Sequence, residues 1–291
     1  MDPRWEKVVI VEMTELGGNM IAQQIVPFGI EIEHDAASSP SAENIEELQA
    51  LYAQHHLMVF RRQKLTHDQQ ARFAHIFGPG LANLDDGRSY VSNVPGAGLF
   101  GDSELEFHSD LAFTPQPYRG ICLHAVDVED GQSSTRFISS SAAYASLPDE
   151  LRDEVDGLHA LHVLRGARLD RNNLPKDIPS AVHPIVMTHP STAEPLLYIA
   201  YDQTVRIVEM SPEDSVLLLK RLFAHLYRPE NVYEHKWKIG DLVMWDNLAL
   251  QHARGSLIGA GRRTLQRVAL GTRGFFEQFP QFKPEQYVTR S

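Results

Sequence analysis

Cysteine is nearly absent, and that removes a class of folds. Cys122 is the only one in 291 residues. No intramolecular disulfide can form, so the small stapled scaffolds of secreted proteins are excluded. Cys122 lies in the apolar run Ile121-Cys122-Leu123, which predicts a buried, inert thiol. No apolar stretch reaches the length of a membrane helix. The N-terminus, Met1-Asp2-Pro3-Arg4-Trp5, lacks the basic-then-apolar pattern of a secretion signal. Long basic runs are missing too, and the net charge is −11, which argues against nucleic acid and anionic membranes as partners. Neither internal repeats nor low-complexity segments occur. What is present is a hydrophobic content of 43% and a charged content of 22%, enough to build a proper core. A cytoplasmic protein with one domain spanning 1–291 is expected.

Short strands separated by turns dominate the pattern. Residues 44–55 carry Ile45, Leu48, Leu51 and Tyr52 at helical spacing, and 57–60 read as a buried strand. Thr66 followed by Gln69 is a capping box. Its helix puts Phe73, Ile76 and Phe77 on one side and stops at Gly78-Pro79. Residues 79–106 look irregular. Strands are expected at 120–128 and 134–139 around the turn Glu129-Asp130-Gly131, and at 196–200, 241–245 and 267–272. Pro148 opens a helix with Leu151, Val155 and Leu158 inward, and Ser211-Pro212 caps another that runs to Tyr227. The polar, proline-bearing segment 165–182 reads as a lid or insert. The fold class expected is mainly β with helical inserts, a double-stranded β-helix of the jelly-roll, cupin-like kind.

Against this background the triplet His108-Ser109-Asp110, the distant His252 and Arg263 stand out. In an extended strand, residues two apart share a face, so His108 and Asp110 project together and Ser109 points away. With one imidazole from elsewhere they form a 2-His-1-carboxylate face, the donor set of non-haem Fe(II) sites that keep coordination positions open. Two neutral imidazoles and one carboxylate leave a divalent ion with a net positive charge, which favours an anionic co-substrate. The triplet alone is weak evidence in a chain with 14 histidines. The same three donors could hold zinc in a hydrolase or a silent ion in a non-enzymatic jelly-roll binding protein.

The spacing of the whole set resembles the taurine dioxygenase and dichlorophenoxyacetate dioxygenase (TauD/TfdA) family. That family's pattern is His-x-Asp, a Thr or Ser about two dozen residues on, a distant His, and an Arg ten to thirteen residues later. Here Thr135 follows Asp110 with 24 residues between, His252 follows Thr135 with 116 between, and Arg263 follows His252 with 10 between. Residues 55–78, His183-Pro184-Ile185-Val186, Gly240-Asp241-Leu242-Val243-Met244-Trp245-Asp246-Asn247 and Arg262-Arg263-Thr264-Leu265-Gln266-Arg267 are similar to family segments. The resemblance implies an oxidoreductase that uses Fe(II), 2-oxoglutarate and O2 to oxidise, typically hydroxylate, a C–H bond of a small, anionic substrate, with release of succinate and CO2. It implies His108, Asp110 and His252 as iron ligands, and Thr135 and Arg263 as the grip on the distal carboxylate of 2-oxoglutarate. Arg267, on the same strand face as Arg263, is implied as a clamp for a substrate anion or for the co-substrate's C1 carboxylate. A homo-oligomer, dimer or tetramer, is also implied.

Departures from the pattern bear on the substrate. The loop after Phe77-Gly78 offers no His of the kind the taurine enzyme has. Glu104 stands where that enzyme places an Asn, and Phe107 precedes the first ligand at a pocket-lining position. A larger, partly apolar carboxylate is expected rather than taurine. Retention of Asp110 argues against halogenation, whereas desaturation or cyclisation stays open as an alternative outcome. His159 and His162, at helical spacing, are expected to be structural. His183 and His189 are expected to pack or to support ligands, His55 and His56 to end a helix, and Trp245 and Asn247 to support the loop carrying His252.

Overall fold

The computed structural model describes residues 13–15, 20–81, 88–166, 169 and 173–282. Among them, nine strands form the larger sheet, in the order β1 (Met13–Glu15), β2 (Ile21–Gln24), β3 (Ile30–Glu33), β4 (Leu57–Phe60), β16 (Leu242–Asp246), β8 (Gly120–Val128), β18 (Arg263–Leu270), β5 (Arg88–Ser92) and β6 (Leu99–Phe100). Four form a second sheet, β15 (Val232–Lys236), β9 (Ser134–Ser139), β17 (Leu250–Arg254) and β7 (Leu105–His108). A third joins β11 (Ser180–Pro184), β10 (His159–Val163) and β14 (Thr204–Ile207), and β12 (Val186–Thr188) pairs with β13 (Pro195–Leu197). Pairing is antiparallel except between β3 and β4 and between β5 and β6.

Strand alternation explains the layers. On β8, Ile121, Leu123 and Ala125 face one way. They join Val243 and Trp245 of β16, Leu265 and Ala269 of β18, Phe137 of β9 and Leu250 of β17 in a single cluster between the two large sheets. Cys122 faces the other way, with Met244 and Val268, and is covered by α1 (Ala42–His55) and α2 (His67–Ala74) through Leu48, Leu51 and Phe73. Both faces of β8 are therefore dry, which is why its first six residues are all buried. The outer face of the second sheet carries Ile138. It packs on α3 (Ser140–Ala145), α4 (Asp149–Val155) and α5 (Pro212–Leu226) through Ala143, Leu151, Leu218 and Leu222. Each fully buried Leu of these clusters contributes roughly 1.5–3 kcal/mol. The result is a double-stranded β-helix with helices outside and a packed interior, and the site sits between its two sheets.

Caps follow the sequence closely. Ser41 caps α1, and the chain leaves through His56 in the left-handed region at φ 58°. Thr66 and Gln69 form the expected capping box, and Ser211 caps α5 with Pro212 in its first turn. The free thiol of Cys122 is buried, and burial pushes it up to about 12. No helix among the described residues is long and apolar enough to cross a membrane.

Several elements differ from the pattern-based expectation. Residues 79–106 contain β5, β6 and the start of β7; short edge strands with Gly and Pro between them carry too little periodicity to be seen. His159 and His162 lie on a strand, β10, not a helix. A three-residue spacing occurs in both, and cross-strand pairing with β11 and β14 decides. Leu158 lies beyond the end of α4, past Gly157 at φ 71°. Strand β13 stops at Leu197, and the last strand begins at Arg263 rather than Arg267. The expected insert 165–182 falls partly outside the described residues, and its last three residues are strand in β11.

Candidate metal and anion site

Three elements bring the donors together. His108 ends β7, and its Cα is the register partner of His252 on β17, so the two rings lie side by side with centroids 4.2 Å apart. Asp110 is not on the strand. It sits in the turn just after it, ahead of Leu111 at φ 59°. That turn replaces the flat strand expected from His-x-Asp, because β7 must leave the sheet here. The turn still swings the carboxylate onto the ligand side: Asp110 Oδ1 is 3.4 Å from His108 Nε2 and 3.8 Å from His252 Nε2. All three ligand atoms lie within 4.8 Å of one another, a set that can hold one ion. Ser109 is buried and faces away, with its backbone held by the Gln203 side chain.

Each donor is oriented by a partner. The His108 Nδ1–H donates to the Glu106 carbonyl at 2.7 Å, leaving Nε2 free to ligate. Asn247, fully buried, accepts from the Asp110 N–H at 2.8 Å and donates to the carbonyls of Asp110 and Tyr118, each at 2.9 Å. Its hold is on the Asp110 turn rather than on the His252 strand. The turn before β17 is held instead by Asp246, whose Oδ1 accepts from Leu248 N and Ala249 N and whose Oδ2 pairs with His189 Nε2 at 3.0 Å. Trp245 packs against the His252 ring at 4.9 Å.

Charge is arranged around the same atoms. Burial opposes ionisation of Asp110, but the His108 hydrogen bond and the Arg267, His252 and His108 charges outweigh it and hold the carboxyl well below its ordinary range. Burial, then the His108 charge, pushes His252 down to about 3, so its imidazole is neutral and a lone pair is available. Arg267 Nη2 donates to Asp110 Oδ2 at 2.8 Å, and its guanidinium lies over the Tyr118 ring at 5.3 Å. The arginine expected to meet an incoming anion thus also fixes the free oxygen of the carboxylate donor.

Arg263, Leu265 and Arg267 share the inner face of β18. Arg263 is 2% exposed. Its Nη2 donates to Thr135 Oγ1 at 3.3 Å, and its Cζ lies 5.8 Å from the Trp237 ring. Nε and Nη1 are buried with no hydrogen-bond partner among the described residues. Thr135 also accepts from Trp237 Nε1 at 3.0 Å. With two N–H groups aimed at its oxygen, the Thr135 hydroxyl proton is free to go to a further acceptor. A buried cation with unpaired donors is costly unless an anion completes it. The pair therefore fits a carboxylate, as the three donors fit a divalent metal.

Glu104 is exposed just before β7. Phe107 is turned to the opposite side of β7 from His108. It stacks on Tyr227 at 5.1 Å beneath the Arg136 guanidinium, and packs with the outer helices. Three residues at the site were not singled out from sequence. Trp237 and Tyr118 carry no local signal. Arg254 does: it lies two after His252, hence on the same strand face.

A family model described as taurine catabolism dioxygenase TauD, TfdA family, matches residues 15–269. Pentalenolactone F synthase of Streptomyces arenae is 35% identical over 223 residues, covering 68% of this chain and 74% of that protein. The alpha-ketoglutarate-dependent 2,4-dichlorophenoxyacetate dioxygenase of Cupriavidus pinatubonensis is 29% identical over 260 residues, covering 80% and 90%. The crystal structure of AAD-2 in complex with Mn(II) and N-oxalylglycine superposes with a TM-score of 0.73 at 28% identity, covering 91% of this chain and 98% of that one. With the family match extending over most of its length, the chain belongs to the TauD/TfdA family of dioxygenases.

Proposed function

We propose that His108, Asp110 and His252 hold the Fe(II) of a 2-oxoglutarate-dependent dioxygenase, that Thr135 and Arg263 bind the distal carboxylate of 2-oxoglutarate, and that the substrate is a small organic anion. The chain is an oxidoreductase of this cofactor class, with Fe(II), 2-oxoglutarate and O2 as its requirements. The observation that carries the residue assignment is the convergence of the three donor atoms within 4.8 Å beside a buried arginine whose Nε and Nη1 have no partner among the described residues.

When bound, Fe(II) with 2-oxoglutarate and O2 supplies an oxidant able to take hydrogen from an unactivated C–H bond, with succinate and CO2 released. The chain's own residues do the rest. Glu106 and Asn247 fix the His108 ring and the Asp110 turn. Arg267 occupies Asp110 Oδ2 and so leaves Oδ1 toward the two imidazoles. Thr135 donates its hydroxyl proton, and Arg263 its unpaired N–H groups, to a carboxylate. Each such charge-assisted bond is worth roughly 1.5–3 kcal/mol. Arg267 remains a cation near the donor set, suited to a substrate anion or to the C1 carboxylate. The name of the Cupriavidus relative's substrate, an aryloxyacetate, supports a partly apolar carboxylate. A zinc hydrolase would leave the Thr135–Arg263 pair without purpose. The synthase relative, at 35% identity, favours a second outcome of the same cofactor chemistry, desaturation or cyclisation in biosynthesis. We also place the protein in the cytoplasm as a single-domain dimer or tetramer, consistent with a lone buried thiol and with ferrous iron, which persists best where the surroundings are reducing.

Anaerobic addition of Fe(II) and 2-oxoglutarate tests the assignment. A weak visible charge-transfer band is expected in the parent protein and is expected to be lost in His252→Ala. No band in the parent protein, or an undiminished one in the variant, would overturn it. Succinate release across a panel of carboxylates and sulfate esters then identifies the substrate.

A further inference from the structure

Arg254 has no place in the ligand set described above, yet it is built like a binding group. It closes β17, two residues after His252, so both side chains face the interior. Only 3% of it is exposed. Its Nη2 donates to the carbonyls of Gly101, at 3.1 Å, and of Ser103, and lies 3.4 Å from that of Phe100. Those acceptors hold Nη2. The other two nitrogens, Nε and Nη1, are buried and have no hydrogen-bond partner among the described residues. The Asp102 carboxylate is within electrostatic reach, but no ion pair joins the two. Burial first, and then the Arg254 charge, pushes the Arg263 ionisation down. Ala253 is the register partner of Arg136 on β9, so Arg254 lies at the level of Thr135.

Two buried guanidinium groups thus lie at the level of one hydroxyl, and Nε and Nη1 of each have no hydrogen-bond partner among the described residues. Like charges buried at one level of a dry interior are unfavourable alone and favour an anion placed between them. We propose that Arg254 is a second cationic contact for the distal carboxylate of 2-oxoglutarate, opposite Arg263. The carbonyls on Nη2 hold the guanidinium in place before the ligand arrives, so little side-chain freedom is lost on binding. This inference rests on the proposed function, because it concerns the same co-substrate.

Ligand pairs separate a contact from a structural role. 2-Oxobutyrate keeps the keto acid that chelates iron but lacks the distal carboxylate. Anaerobic titration of the Fe(II) protein, read by the visible chelate band, gives an affinity for each ligand in the parent, in Arg254→Met and in Arg254→Lys. Arg254→Met is expected to weaken 2-oxoglutarate by about 10- to 100-fold and to leave 2-oxobutyrate unchanged. Arg254→Lys keeps one charge but cannot span the carbonyls and the carboxylate, and about a tenfold loss confined to 2-oxoglutarate is expected. It decides the matter if the methionine variant does not fold. Equal losses for both ligands, or none, would reduce Arg254 to a tie for the Phe100–Ser103 segment and overturn the inference. A parent protein that chelates neither ligand would overturn the proposed function itself.

Discussion

Replacing Arg263 by methionine should make the ligand-free protein more stable while removing most of its response to 2-oxoglutarate. Burial, then the Arg254 charge, pushes the Arg263 guanidinium down to about 9 from its ordinary 12.5. At about 1.36 kcal/mol per pH unit, the cation is held at a cost of up to about 5 kcal/mol, an upper bound because local relaxation absorbs part of it. Methionine gives up the Thr135 hydrogen bond, about 1 kcal/mol, and the Trp237 contact, about 0.5–1 kcal/mol. Thr135 Oγ1 keeps its bond from Trp237, so no buried acceptor is orphaned. A net gain of about 1–3 kcal/mol is expected, or a rise in Tm of roughly 2–6 °C for a chain of this size. The gap closes or inverts when 2-oxoglutarate is added anaerobically to the Fe(II) protein at about 100 times the parent's Kd. The parent protein then gains about 2.7 kcal/mol, and a variant that binds about 100-fold more weakly gains only about 0.4 kcal/mol. Paired thermal melts and urea titrations, with and without 2-oxoglutarate, read both effects. A variant that melts below the parent without ligand and shifts with 2-oxoglutarate as far as the parent does would refute the argument that this arginine is an unsatisfied cation waiting for an anion.

Two further perturbations test the surroundings of the site. Asn247→Ala removes partners from the Asp110 N–H and from the carbonyls of Asp110 and Tyr118. A loss of about 3 kcal/mol in urea unfolding, with Fe(II) affinity down about 10- to 100-fold in a metal titration, is expected, and unchanged metal affinity would separate the turn from the ligand geometry. Burial, then the His183 charge, pushes His162 down to about 3, below its ordinary 6.5. Between those values the unfolded chain binds the extra proton, so stability falls as pH drops from 6.5 toward 3. From pH 7 to pH 5 this group accounts for about 2 kcal/mol of loss, which His162→Phe should remove; equal acid slopes for parent and variant in urea titrations would contradict it.

The opposite placements of His108 and Phe107 illustrate what local pattern conveys. Alternation along a strand says that adjacent residues face apart, and one of them is the metal donor. It does not say that Tyr227 and Arg136 wait on the far side. Similarly, the His-x-Asp spacing marks two donors on one face, but the chain achieves this with a turn after β7, held by Asn247 from a segment 137 residues away. Arg263 and Arg267 share one strand face by their four-residue spacing alone, yet that this face is the interior one, and that their partners are Thr135 and Asp110, comes from the fold. Residues 79–106 hid three strands because short edge elements carry little periodicity.

The amino-acid order by itself determined the donor types, the helix caps at Thr66 and Ser211, the dry run of β8 and the common face of the two β18 arginines. These depend on neighbours within a few residues, where backbone geometry is nearly fixed. Tertiary structure alone decided that His252 pairs with His108, that Asp110 turns back toward both, and that Arg254 lies buried at the level of Thr135. Cross-strand register and burial are set by the packing of two whole sheets, and no local window of the chain contains that information.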